Sequence, residues 1–169
     1  MAAGASLPFD PIVEARRHWQ ERGWEDVADA MAAVTSVMRV EQILLARVDK
    51  VLSPFALTFA RYEVLMLLEF SRAGALPLGK IGSRLQVHPT SVTNAVDRLE
   101  KAGFVRRAPH PSDGRATLAE LTPEGRAVIR TATKAINAEV FTDIGLDDGE
   151  LLTLFELLRK MRGAAGDVT

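Results

Sequence analysis

Residues 78–121 read LGKIGSRLQVHPTSVTNAVDRLEKAGFVRRAPHPSDGRATLAEL. Leu78 to Leu85 has the length and apolar spacing of a short helix. Gln86-Val87-His88 is a tight connection. His88-Pro89 then opens a second helix, with Pro89 at the first helical position, where its missing N–H costs nothing. That helix continues to Lys101 or Ala102, and Gly103 supplies the stop. The period then changes from helical to alternating. Phe104 to Ala108 reads as a strand, Pro109 to Gly114 is dense in turn formers, and Ala116 to Leu121 reads as the returning strand.

Helix, tight turn, helix, hairpin is the order of a winged helix-turn-helix, and each part has a physical task. Val92, Val96 and Leu99 stand at i, i+4 and i+7 and anchor the second helix to a core. The opposite side offers Thr90, Asn94, Asp97, Arg98 and Lys101, with Pro89, Ser91 and Thr93 at the amino end. Small polar residues there let a helix N-terminus approach phosphates and base edges. Arg115, just after Asp113-Gly114, suits insertion into a minor groove. Arg106 and Arg107 alternate across a strand, so one of them is expected to face backbone phosphates. His88 is a phosphate contact or a local cap. Arg98 contacts phosphate or pairs with an acid such as Asp113. His110 reads as solvated rather than as a metal ligand.

Outward from this lobe the chain is helical. Asp10-Pro11 starts a helix that runs to Arg22 and stops at Gly23. From Asp26 to Leu52 there is neither Gly nor Pro, and Val27, Met31, Val34, Met38, Leu45, Val48 and Leu52 follow three- and four-residue steps, with Glu41 the one break. So long and wide an apolar surface suggests burial on two sides, by a core and a partner subunit, or else a long core helix in a monomer. Thr58 caps a third helix to Ser71. Thr122-Pro123 starts another, expected to reach Phe141. Asp147 and Glu150 have capping-box spacing before a last helix to Gly163. The fold class expected is mainly α with a small β-hairpin wing (α+β). Three regions follow: an N-terminal extension with a long dimerisation helix (1–57), a winged helix-turn-helix lobe (58–121), and C-terminal dimerisation helices (122–169).

Composition narrows the function. The 169 residues are 47% hydrophobic and 25% charged, enough apolar material for a core, which argues against wholesale disorder. The absence of cysteine excludes disulfide scaffolds, thiol nucleophiles and Cys-ligated metal centres. It also suits a reducing cytoplasm, the expected location. The N-terminus lacks a signal peptide's layout, and no apolar run approaches the roughly 18 residues of a membrane span. No metal or cofactor site is expected. The net charge of −1 is unevenly spread. Residues 72–115 carry 8 Lys/Arg against 3 Asp/Glu, a net of +5, between flanks that are each −3. A local basic patch is an electrostatic footprint for nucleic acid, or a chance cluster on a solvated face.

Residues 58–126 resemble the MarR family of winged-helix transcriptional regulators. The stretches that carry the resemblance are TFARYEVLMLL, SVTNAVDRLEKAGFVRR and PSDGRATLAELTPEGR. The Asp-x-Arg of the wing (Asp113, Arg115) and the run from Leu121 to Arg126 are its most specific parts. The resemblance implies a homodimer made by intertwined terminal helices, with two lobes reading a pseudo-palindromic operator in double-stranded DNA. It implies that Arg115 enters the minor groove, braced by Asp113, and that the helix from Pro89 enters the major groove. It implies repression relieved by a small aromatic acid. Relief by cysteine oxidation is closed to this chain.

The N-terminal extension departs from a minimal member of the family. Arg16, Trp19 and Trp24 lie on or beside one added helix, where Trp with Arg can hold a planar anion, or Trp19 simply packs the helix down. An effector pocket is expected between the dimer helices and the lobe. Trp19, Met38, Phe59, Tyr62 and Met66 would wall it, and Arg16 or Arg39 would hold a carboxylate. Two rival readings compete with a ligand-responsive repressor. One is a winged module that binds protein; the wing and the local positive charge argue against it. The other is an enzyme, for which the chain has no HExxH, P-loop, GxSxG or GxGxxG motif.

Overall fold

The computed structural model describes residues 7–113 and 116–167. The chain forms two compact units, Met1–Lys50 and Val51–Thr169.

The first unit holds α1 (Pro11–Glu21) and most of α2 (Glu25–Leu52). Asp10 caps α1 by accepting from the amides of Ile12 (2.8 Å) and Val13 (3.4 Å). Between the helices Gly23 sits at φ 77°, a left-handed conformation that glycine adopts without a steric penalty. The Trp19 and Trp24 rings meet edge to face there, 5.4 Å between centroids. Arg16 on α1 donates to Asp29 on α2 at 2.5 Å. Much of the apolar surface of α2 is uncovered: Val27, Val34, Val37, Met38, Val40, Ile43 and Leu45 are all exposed.

The second unit begins with a short 3-10 turn, Ser53–Phe55, and continues through α3 (Phe59–Phe70), β1 (Ala75–Pro77), α4 (Leu78–Leu85), α5 (Pro89–Lys101), β2 (Val105–Pro109), β3 (Thr117–Leu121), α6 (Pro123–Ile136) and α7 (Asp148–Ala164). The sheet is antiparallel in the order β1-β3-β2. Arg106 lies opposite Glu120, and Leu76 opposite Ala119. Its core is formed by Leu65, Leu68, Ile81, Val92, Val96, Leu99, Val105, Ala119 and Ile129, each at most 2% exposed. These come from α3, α4, α5, the sheet and α6, and within the lobe α5 packs against α3, α4 and β2.

Three local features differ from the sequence reading. β1 was not expected; three residues carry too little alternation to register as a strand, and β1 exists because β3 offers it a free edge. α6 stays α-helical only to Ile136 and then widens into a π-turn over Asn137–Phe141, closed by the Thr142 amide donating to the Asn137 carbonyl at 3.0 Å. Thr58 sits at the start of α3 in extended conformation, but its hydroxyl accepts from Arg61 Nε at 3.2 Å and caps no amide. The capping box of α7 forms as read: Asp147 accepts from the Glu150 amide, and Glu150 from that of Asp147. No single helix among the described residues is long and apolar enough to cross a membrane.

Candidate nucleic-acid interface

The interface begins with a division of α5 into two faces. Val92, Val96 and Leu99 are at most 1% exposed. Pro89, Thr90, Ser91, Thr93, Asn94, Arg98 and Lys101 are exposed, as is His88 just before the helix. This is the amphipathic separation that 3.6 residues per turn produces. α4 can approach α5 closely because Gly82 lies beneath it; a Cβ there would meet Val92 Cγ2 at 3.3 Å. Gln86 ends α4 in the left-handed conformation, φ 53°, and reverses the chain into α5.

His88 is the N-cap of α5. Its Nδ1 accepts from the Thr90 amide at 3.2 Å, which leaves the ring at the helix entrance. The Thr93 hydroxyl donates to the Pro89 carbonyl at 3.1 Å. Asn94 makes no side-chain bond among the described residues, and Arg98 has no acidic partner among them.

The two wing arginines are placed differently. Arg106 is 74% exposed and pairs across the sheet with Glu120 at 2.6 Å. Arg107 turns back to α5, where its guanidinium meets Asp97 Oδ1 and Glu100 Oε2, each at 2.5 Å. Its backbone amide also donates to Glu100, at 3.0 Å. Partial burial works against the Arg107 charge, but the two carboxylates more than offset it and hold the group above its ordinary pKa. Arg107 therefore ties the wing to α5, a role that the alternation of strand residues did not reveal. Glu100 was not singled out in the sequence, although its spacing of seven from Arg107 is a local signal.

The Leu121–Arg126 run fastens the wing's other end. Thr122 Oγ1 accepts from the Gly125 amide at 2.9 Å and donates to the Gly103 carbonyl at 2.7 Å. Gly125 lies so close to strand β2's approach that a Cβ would stand 2.0 Å from the Phe104 carbonyl oxygen. Arg126 and Arg130 both pair with Glu69 on α3, Arg130 at 2.9 Å. The tip of the wing is closed by the His110 amide donating to the Ala116 carbonyl at 3.2 Å, and His110 Nδ1 accepts from Ser112. Asp113 is exposed at this tip. Arg115, expected in the minor groove, lies outside the described residues.

Comparison with known proteins identifies this arrangement. A sequence model of the MarR family matches residues 57–117. The chain is 29% identical over 114 residues to the HTH-type transcriptional regulator PecS of Dickeya dadantii (strain 3937), covering 67% of this chain and 69% of PecS. It superposes with a TM-score of 0.76 on Sco5413, a MarR family transcriptional regulator from Streptomyces coelicolor, at 52% identity over 82% of this chain and 96% of that one. The chain belongs to the MarR family. A second S. coelicolor member, Sco3205, solved in complex with DNA, matches with a TM-score of 0.71 at 28% identity, over 80% of this chain and 88% of its own. This MarR-family chain is thus a DNA-binding transcriptional regulator and not an enzyme.

The expected effector residues divide between the two units of this regulator. Arg16, Trp19, Met38 and Arg39 are in the first. Arg16 is committed to Asp29, and Met38 and Arg39 are exposed. Phe59, Tyr62 and Met66 are in the second, where they come together in a groove of about 320 Å³ with Glu63, Leu67, Phe70, Leu85 and Phe141. Among the described residues neither Lys nor Arg lines that groove. The carboxylate in its lining, Glu63, was not among the expected residues. Burial pushes the Glu63 carboxyl above its ordinary pKa.

Proposed function

We propose that this regulator is a homodimeric, ligand-responsive repressor that binds a pseudo-palindromic operator in the cytoplasm. The observation that carries DNA reading is the exposed polar face of α5 opposite three fully buried anchors. In this reading Thr90, Ser91, Thr93 and Asn94 meet base edges or nearby phosphates in the major groove. His88, Arg98 and Arg106 meet backbone phosphates, and Arg115 with Asp113 serves the minor groove. Arg107 acts indirectly, by holding the wing at a fixed distance from α5.

The exposed apolar residues of α2, with Leu152, Phe155, Leu157 and Met161 of α7, support dimerisation. Patches of this kind rarely remain open to water in a monomer. The chain then works as three regions: an extension and dimerisation helix to residue 57, a reading lobe over 58–121, and dimerisation helices from 122. An effector acts by favouring a lobe spacing that misfits the operator, and by no more than its preference for that spacing. The small aromatic acid expected from the sequence would need a cation, and Arg39 is the expected one that no acid among the described residues holds.

Titration of the purified protein against the DNA upstream of its own coding sequence, and against a scrambled duplex, tests this reading. Tight, salt-dependent binding to an inverted repeat is expected, with one dimer per repeat. Equal affinity for both duplexes would remove sequence reading and favour a winged module with another partner.

A further inference from the structure

The groove of α3 has walls that suit an aromatic ring. Phe59 and Tyr62 are stacked, 6.3 Å between centroids and 16° between planes, and Met66, Leu85 and Phe141 complete an apolar lining. The Tyr62 hydroxyl is turned away to Thr133 Oγ1 at 3.2 Å. Thr133 is itself committed to the Ile129 carbonyl at 2.8 Å. That leaves Glu63 as the polar group of the lining. It is half-buried and makes no hydrogen bond or ion pair among the described residues.

A carboxylate held in an apolar lining without a partner is an unfavourable arrangement, which an incoming cation relieves. Aromatic faces beside it attract the same charge through their quadrupoles. An incoming aromatic carboxylate meets the opposite conditions: it is repelled by Glu63 and finds no lining cation among the described residues. A volume of about 320 Å³ accommodates up to three rings, and because the groove is open along one side a larger ligand can leave a further ring in solvent.

We propose that this groove takes a lipophilic aromatic cation, whose charge is set against the Glu63 carboxylate and whose rings lie along Phe59 and Tyr62. The inference rests on the effector response proposed for this regulator and names the class of its ligand. The groove lies wholly within the second unit and needs no residue of α1 or α2.

The test uses the full-length protein and two probes of opposite charge, rhodamine 6G and fluorescein, followed by fluorescence anisotropy. Tetraphenylphosphonium and salicylate serve as non-fluorescent competitors. Rhodamine 6G should bind and be displaced by tetraphenylphosphonium but not by salicylate. Glu63→Gln should weaken rhodamine 6G about tenfold, as loss of a partly desolvated charge partner predicts. Phe59→Leu should weaken it independently, and Glu63→Asp should restore part of what the amide loses. Circular dichroism confirms that each variant is folded. Equal binding of rhodamine 6G to the wild type and Glu63→Gln overturns the proposal. So does tighter binding of fluorescein, or no cation binding by a folded dimer whose second copy covers the groove. A parallel titration with operator DNA separates the two readings. Glu63-dependent dye binding that leaves operator affinity unchanged supports the ligand class and defeats the effector response.

Discussion

Arg107 of β2 reaches Asp97 of α5 at 2.5 Å and so fixes the wing against the reading helix. The same guanidinium holds Glu100 at the same distance. Two carboxylates one turn apart on a helix make a fork that a single planar guanidinium can bridge. Arg106, one residue away, points to solvent and among the described residues pairs with its cross-strand neighbour Glu120.

This difference separates two adjacent arginines experimentally. Arg107→Ala should lower stability by about 1 kcal/mol, more than an ordinary surface pair. It should weaken specific operator binding by misplacing the wing. Arg106→Ala should leave the melting temperature nearly unchanged and reduce the slope of log K against log salt by about one per half-site if it meets phosphate. Thermal melts with salt titrations decide it. A salt slope altered only by Arg107→Ala would reverse the two roles.

Gly125 tolerates no side chain in this packing. A Cβ would stand 2.0 Å from the Phe104 carbonyl oxygen and 2.9 Å from Leu121 Cδ1, and backbone cannot yield as a flexible side chain would. Gly125→Ala should cost about 2–3 kcal/mol by overpacking. Gly79→Ala, with nothing within 4 Å, should be neutral or stabilising in urea denaturation.

Glu63 gives stability a particular pH dependence. Burial holds its carboxyl above the ordinary 4.5, so the folded chain binds that proton more tightly than the unfolded chain does. Its contribution is therefore most favourable below the unfolded value and is lost as pH rises through the folded one. Glu63→Gln should be the more stable protein at neutral pH, and the difference should shrink towards pH 4. Melts across pH 4–7 measure this; a gap that widens on acidification would show a Glu63 stabilised by a cation instead.

On the DNA side, Asn94→Ala should relax base preference at a cost of about 1–3 kcal/mol per half-site. Arg115→Ala should weaken binding strongly even at low salt. Equal losses on operator and scrambled duplexes for Asn94→Ala would mean that it reads no base.

The apolar face of α7 predicts how the dimer can be broken. Phe155 is 55% exposed in the chain. Phe155→Asp should raise the dimer dissociation constant by about a hundredfold or more, from lost apolar burial and a stranded charge. The lobe should stay folded, because its core draws on none of α7. Two lobes of an intact dimer should reach half-sites roughly 34–36 Å apart. Sedimentation equilibrium measures the change; an unaltered dimer would exclude this face.

What the sequence determined by itself is whatever depends on neighbours along the chain. Pro89 after His88, Gly103 after α5, the turn formers 109–114 and Asp147 with Glu150 set helix and strand limits locally, because caps and turns act over three or four residues. The faces of α5 followed from periodicity for the same reason. The tertiary structure decided whatever depends on partners distant in sequence. β1 exists only beside β3, and Gly125 is constrained by a carbonyl that approaches across the base of the wing. Arg16 and Arg107 looked equally available as cations in the sequence, yet each has an acid placed against it by packing. Glu63 was not singled out in the sequence; only the apolar and aromatic side chains gathered around it make it the one charge, among the described residues, of an apolar groove. Charge and capping are written residue by residue, whereas the solvation and pairing of a charge are properties of the assembled fold.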